Sequence, residues 1–130
     1  MDIRNRRYFF KVVRDHNPLG VYTSAFLTAP VYYSIGTVTL PRADIPGSKL
    51  FVFESLEEAK DFCICVMNSI FLCTCTNPTV PPTRIASDSR RECFVVFWKS
   101  GSVADHLPYL PTPPGTILVD SVELIGEIKV

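Results

Sequence analysis

Residues 49–76 read KLFVFESLEEAKDFCICVMNSIFLCTCT, and this stretch decides the fold. Leu50, Phe51, Val52 and Phe53 form an unbroken apolar run, which predicts a strand covered on both faces. Ser55 stands where a helix should begin. With Ser55 as N-cap, Glu58 is the third helical residue, so the serine oxygen can accept from the Glu58 N–H while the Glu58 carboxylate reaches back to the Ser55 N–H. Glu57 adds negative charge where the helix dipole favours it. Leu56, Ala59, Phe62, Cys63, Val66 and Ile70 then recur at intervals of three and four, a single buried stripe that predicts a helix over 55–68. Residues 70–76 alternate instead, with Phe71, Cys73 and Cys75 on one face and Leu72, Thr74 and Thr76 on the other.

Working outward, residues 8–13 predict a first strand, followed by a turn over 14–20 that is dense in breakers. Residues 21–27 and 31–40 predict two more strands, with Gly36 marking a bulge or a close backbone approach. Short connections make these three an antiparallel meander. Residues 77–91 contain three prolines and several hydroxyl residues, and predict a long exposed loop. Residues 92–99 (ECFVVFWK) predict a central strand, 100–115 an irregular segment, and 116–119 a strand. In 121–130, Val122, Leu124, Ile128 and Val130 should face one way and Glu123, Glu127 and Lys129 the other.

Composition narrows the function classes. The 130 residues carry 13 Lys+Arg against 13 Asp+Glu, a formal net charge of zero. Such a chain has no global attraction for a phosphate backbone, so no nucleic acid partner is expected. It also has little electrostatic protection against self-association. An apolar fraction of 47% excludes disorder as the main state, and the length fits one globular domain, residues 1–130. No secretory signal is present, and no apolar run is long enough for a membrane span, so no membrane association and a cytoplasmic location are expected. The odd count of five cysteines, most of them in apolar segments, suits reduced buried thiols.

Few constellations carry chemistry. Residues two apart on a helix diverge by about 200°, so Cys63 and Cys65 cannot face one ion, and neither a metal nor another cofactor is expected. Cys73 and Cys75 share a strand face. His16 and His106 lie in loops without triad partners, so no catalytic residue is assigned. Capping accounts for Glu57 and Glu58. Glu54, at the end of a strand, has no such structural role and is a candidate binding residue. Tyr22, Ser24, Tyr32 and Tyr33, with Trp98, supply the aromatic and hydroxyl groups of a pocket wall, or simply of sheet packing. Arg84, Arg90 and Arg91 in the long loop, with Arg4, Arg6 and Arg7 near the start of the sequence, make an anion site if the fold gathers them, or else are solvated loop charges.

The segment F-x-S-L-E-E-A at Phe53 to Ala59, supported by Pro114-Gly115-Thr116, resembles segments of small uncharacterised proteins from phages, bacteria and large DNA viruses. The resemblance implies a viral or phage origin and transfers no catalytic residue. The fold class expected is α+β: one domain with a mostly antiparallel sheet of six or seven strands and one main helix packed on it. The leading functional expectation is a non-enzymatic binding module that recognises a protein partner or its own copies. The alternative is a small-molecule or nucleotide binder. An ADP-ribosyltransferase-like enzyme ranks third, on the types of chemical group present alone.

Overall fold

The computed structural model describes residues 7–16, 21–24, 31–45, 47–66, 69–86, 97–98 and 109–129. Its organising strand is β1 (Phe9–His16). After it come β2 (Val21–Ser24), β3 (Tyr32–Tyr33), β4 (Val38–Thr39), β5 (Leu50–Phe53), α1 (Leu56–Val66) and β6 (Ser69–Thr76). The chain continues with β7 (Arg84–Ala86), β8 (Tyr109–Pro111), β9 (Thr116–Val119) and β10 (Ser121–Ile128). This is an α+β architecture dominated by antiparallel sheet.

One edge of β1 pairs with β6, from Phe9 opposite Cys73 to Val13 opposite Ser69. The other edge divides. Phe10 pairs with Phe53 of β5, and from Val13 onward the partner is β2. The main sheet has eight strands: six in the order β3-β2-β1-β6-β10-β4, with β5 and β9 branching from β1. β7 and β8 form a separate two-stranded ribbon. The end strands β3 and β4 are consecutive in the chain, and the Thr39 hydroxyl donates to the Tyr32 carbonyl at 3.2 Å. The two ends of the six-strand order therefore return to one another, and the sheet curls around an interior.

Two apolar clusters follow from the period-two alternation of the strands. The inner one joins Phe9, Val13, Tyr33, Leu50, Val52, Phe71, Cys73, Ile117, Val119, Val122 and Leu124. The outer one lies under α1, where Ala59 and Cys63, four residues apart on one helical face, meet Val12, Phe53 and Ile70. The Phe53 and Phe62 rings tilt against each other at 5.2 Å between centroids. At the helix start the Glu58 N–H donates to Ser55 Oγ at 3.2 Å. The return bond differs from expectation: the Glu58 carboxylate accepts from the Ser55 hydroxyl at 2.8 Å rather than from its N–H.

Other departures have identifiable causes. The strand expected over 31–40 is broken into β3 and β4, because Gly36 turns with φ of +78° and donates its N–H to the Leu124 carbonyl. β1 runs on through Arg14, Asp15 and His16, where the breakers predict a turn, because β2 pairs with them. Within 77–91, Thr79 bridges to Leu118 and β7 forms, so this stretch is not irregular throughout. Phe97 and Trp98, the described part of the strand expected over 92–99, are helical. The register of β10 on β6 shifts between Leu124 and Gly126. That bulge turns Ile128 from the inner face shared by Val122 and Leu124 to the outer cluster, opposite Ile70.

Gly115 (φ +80°) lies against the start of α1, where a Cβ would overlap the Glu58 carboxylate. At Gly36 a Cβ would meet nothing within 4 Å. Both substitutions to alanine strain a left-handed backbone, but only Gly115→Ala also disturbs the helix cap. Gly36→Ala is expected to cost about 1 kcal/mol, and Gly115→Ala about 1 kcal/mol more. Urea denaturation of the two variants measures the difference.

Candidate functional site

The run Phe9, Lys11, Val13 alternates inward along β1, so its middle member carries a charge into the apolar interior. Lys11 is only 4% exposed. Its ammonium donates to the Phe51 carbonyl of β5 at 2.6 Å and stands 5.0 Å from the centroid of the Tyr33 ring. The ring face favours a cation, though it does not replace a hydrogen-bond acceptor. On the neighbouring β6, Cys73 and Cys75 point to the same interior, their sulfurs 3.7 Å apart. No acid among the described residues pairs with Lys11.

The cluster's electrostatics follow from burial. Loss of solvation lowers the Lys11 ammonium from its ordinary value of 10.5 to about 8. The same desolvation raises the Tyr33 phenol, and the Cys73 thiol is raised first by its hydrogen bond to Cys75 and then by burial. At neutral pH Lys11 is therefore still predominantly charged, while Tyr33 and Cys73 remain neutral. The Tyr33 hydroxyl, fully buried, meets no hydrogen-bond partner among the described residues. A buried polar group in that condition calls for an explanation.

Among the described side chains, those expected from the sequence to form a site stand on different faces and elements. Tyr32 and Tyr33 are adjacent on β3 and so point to opposite faces, Tyr32 outward and exposed, Tyr33 inward and buried. Tyr22 is registered opposite Tyr33, and Ser24 opposite Val13, while their side chains lie outside the described residues. Trp98 is half-buried and packs its ring on Phe51 and Phe97, at 5.7 and 4.8 Å. Glu54 sits half-buried in the bend between β5 and α1, its N–H donating to the Gly115 carbonyl at 2.9 Å. Arg84 is on β7, opposite Pro111. Arg90 and Arg91 lie outside the described residues, as do His106 and the Cys65 side chain.

Of the described side chains in the expected pocket wall, Tyr33 belongs to the interior cluster, while Tyr32 and Trp98 do not. Lys11, its central member, was not singled out. The signal was present in YFFKVV, where the one charge falls in phase with Phe9 and Val13. Its neighbours come from β3, β5 and β6, which no local pattern brings to mind. Among the described residues no three His, Cys, Asp or Glu side chains gather as metal ligands, and no helix is long and apolar enough to cross a membrane. Comparison of the chain with protein-family models, curated proteins and solved structures returns no match.

The buried charge has a measurable consequence. Because the folded state binds the Lys11 proton less tightly than the unfolded chain, Lys11 lowers stability fully below pH 8, and the loss is relieved between about 8 and 10.5. Lys11→Met is expected to be more stable than wild type at pH 7. Its advantage should shrink by about 3 kcal/mol as pH rises through that window. The difference between the two proteins cancels the titration of the groups they share, apart from the coupling of the thiols to the Lys11 charge. Chemical denaturation at pH 7 and pH 10 checks it, and a pH-independent difference contradicts a desolvated ammonium.

Proposed function

We propose that the protein is a non-enzymatic interaction module that pairs with a second copy of itself through the outer face of β3, β4 and β10. One observation carries this reading. Tyr32, Ile35, Val38, Leu40 and Ile125 are between 46% and 66% exposed, and they fall on adjoining segments. Ile35 bridges to Leu124, next to Ile125, and Val38 is registered opposite Glu123 on β10.

The cause is geometric. α1 is 11 residues long and packs on β1, β5 and β6, so it leaves the outward positions at the β4 end of the sheet uncovered. A contiguous apolar surface of this kind is a common mark of a protein contact. At its rim Arg42 and Asp44 pair with each other at 2.7 Å, and Glu123, opposite Val38, places an acid beside the apolar residues. The net charge of zero removes long-range repulsion between copies. A twofold contact, in which the same patch meets itself, satisfies both conditions.

Val38→Lys tests the reading, because Glu123 opposite can accept the new cation within the chain and the fold should persist. Sedimentation equilibrium at micromolar concentration should find wild type dimeric and Val38→Lys monomeric. At concentrations low enough for wild type to dissociate, the two unfolding free energies should agree to within about 0.5 kcal/mol. A wild-type protein that stays monomeric at every concentration, or a dimer that survives Val38→Lys, would sink the proposal.

A further inference from the structure

Cys73 and Cys75 are two residues apart on β6, so strand alternation sets both on the inner face, and their sulfurs meet at 3.7 Å. Cys73 is fully buried and Cys75 half-buried. Hydrogen-bond donors surround the pair. The backbone of Phe9, registered opposite Cys73, donates to the Cys73 sulfur. Lys11 follows two residues along the same strand face, and the thiol pair acts electrostatically on its ammonium and on the Tyr33 hydroxyl alike. The ammonium has three N–H donors and, among the described residues, one acceptor, the Phe51 carbonyl. The Tyr33 hydroxyl has none.

As thiols, the two sulfurs are weak acceptors, and they leave both the surplus of donors and one buried positive charge uncompensated. As thiolates they accept strongly, and a soft metal ion displaces the protons of such a pair. Charge selects the ion. Two thiolates and a monovalent cation make a complex of charge −1, which the Lys11 ammonium brings to zero. A divalent ion makes a neutral complex, leaves Lys11 uncompensated and calls for two more ligands. Among the described residues no third His, Cys, Asp or Glu side chain joins the pair. The ion needs no cavity, because it takes the place of the shared S–H proton between side chains already in contact. With metal–thiolate bonds of about 2.3 Å, the sulfurs part by about 1 Å to hold it on the line between them, and rotation of the half-buried Cys75 supplies that opening.

We infer that Cys73 and Cys75 form a site for one soft monovalent cation of the copper(I) type. Both sulfurs bind as thiolates, the Lys11 ammonium balances the negative charge of the complex, and the Tyr33 hydroxyl donates to a sulfur. The site lies on the inner surface of the sheet and shares no residue with the outer face proposed for self-association.

The test is an anaerobic titration of the full chain at pH 7 with Cu(I) held by bicinchoninate, a chelator whose colour reports the copper it retains, followed by X-ray absorption of the loaded protein. Wild type should withdraw copper and hold it by two sulfurs, and equimolar Zn(II) should not displace it. Cys75→Ser should lose the site. Lys11→Leu, which removes a buried charge and adds no ligand, should keep the two-sulfur signature and bind about tenfold or more weakly. Tyr33→Phe, which removes a hydroxyl that has no partner to lose, should weaken binding by about tenfold. The proposal is overturned if wild type withdraws no copper, if absorption shows ligands other than two sulfurs, or if zinc displaces the copper. Unchanged affinity in Cys75→Ser puts the ion on other thiols, unchanged affinity in Lys11→Leu removes the charge balance, and either result overturns it equally. The sulfur count is read on wild type and so decides the matter even where a variant fails to fold.

Discussion

The hydrogen bond from the Lys11 ammonium to the Phe51 carbonyl, 2.6 Å long, marks the constraint on which the rest of the sheet depends. β1 is engaged on both edges and both faces: β6 on one edge, β5 and β2 on the other, α1 outside and the apolar interior within. Such a strand has no freedom of register. Moving it by one residue would turn Phe10, Val12 and Arg14 inward and strip α1 of the surface it covers. The chain keeps Phe9 and Val13 inside and accepts Lys11 between them. The buried charge is thus a consequence of strand periodicity, and the Phe51 carbonyl and the Tyr33 ring are the accommodation available to it.

What could be read in the sequence was local. The helix start at 55–59 rests on contacts within a few residues, where Ser55 and Glu58 meet much as their spacing implies, and the strand before it shows in its apolar run. The alternation of 70–76 also holds, with Phe71 and Cys73 buried on one face. Long-range pairing was not legible. β1 divides one edge between two partners, and β10 carries a bulge that reverses its face beyond Leu124. Gly36 divides one expected strand into the two that bring the ends of the sheet together. The same limit applies to the site. Tyr33 was identifiable by its chemistry, but Lys11 acquires meaning only when β3, β5 and β6 close around it.

The curled sheet separates two kinds of chemistry by alternation alone. Tyr32 and Tyr33 are neighbours in sequence, yet one stands on the exposed outer face and the other against the buried ammonium. Outside, the 11-residue α1 is too short to cover every strand, and Tyr32, Ile35, Val38, Leu40 and Ile125 stay exposed. Inside, apolar packing is nearly complete, and the exception is a small group of hydrogen-bond donors.

The central claim is that Lys11 is held in the interior as a desolvated ammonium. The most direct measurement is an NMR titration of its side-chain ε-carbon, from about pH 6 to about pH 11, with the other lysines as internal references. The account predicts a Lys11 midpoint near about 8, set apart from ordinary lysines. A midpoint at the ordinary 10.5 would place the amine in water and contradict the account.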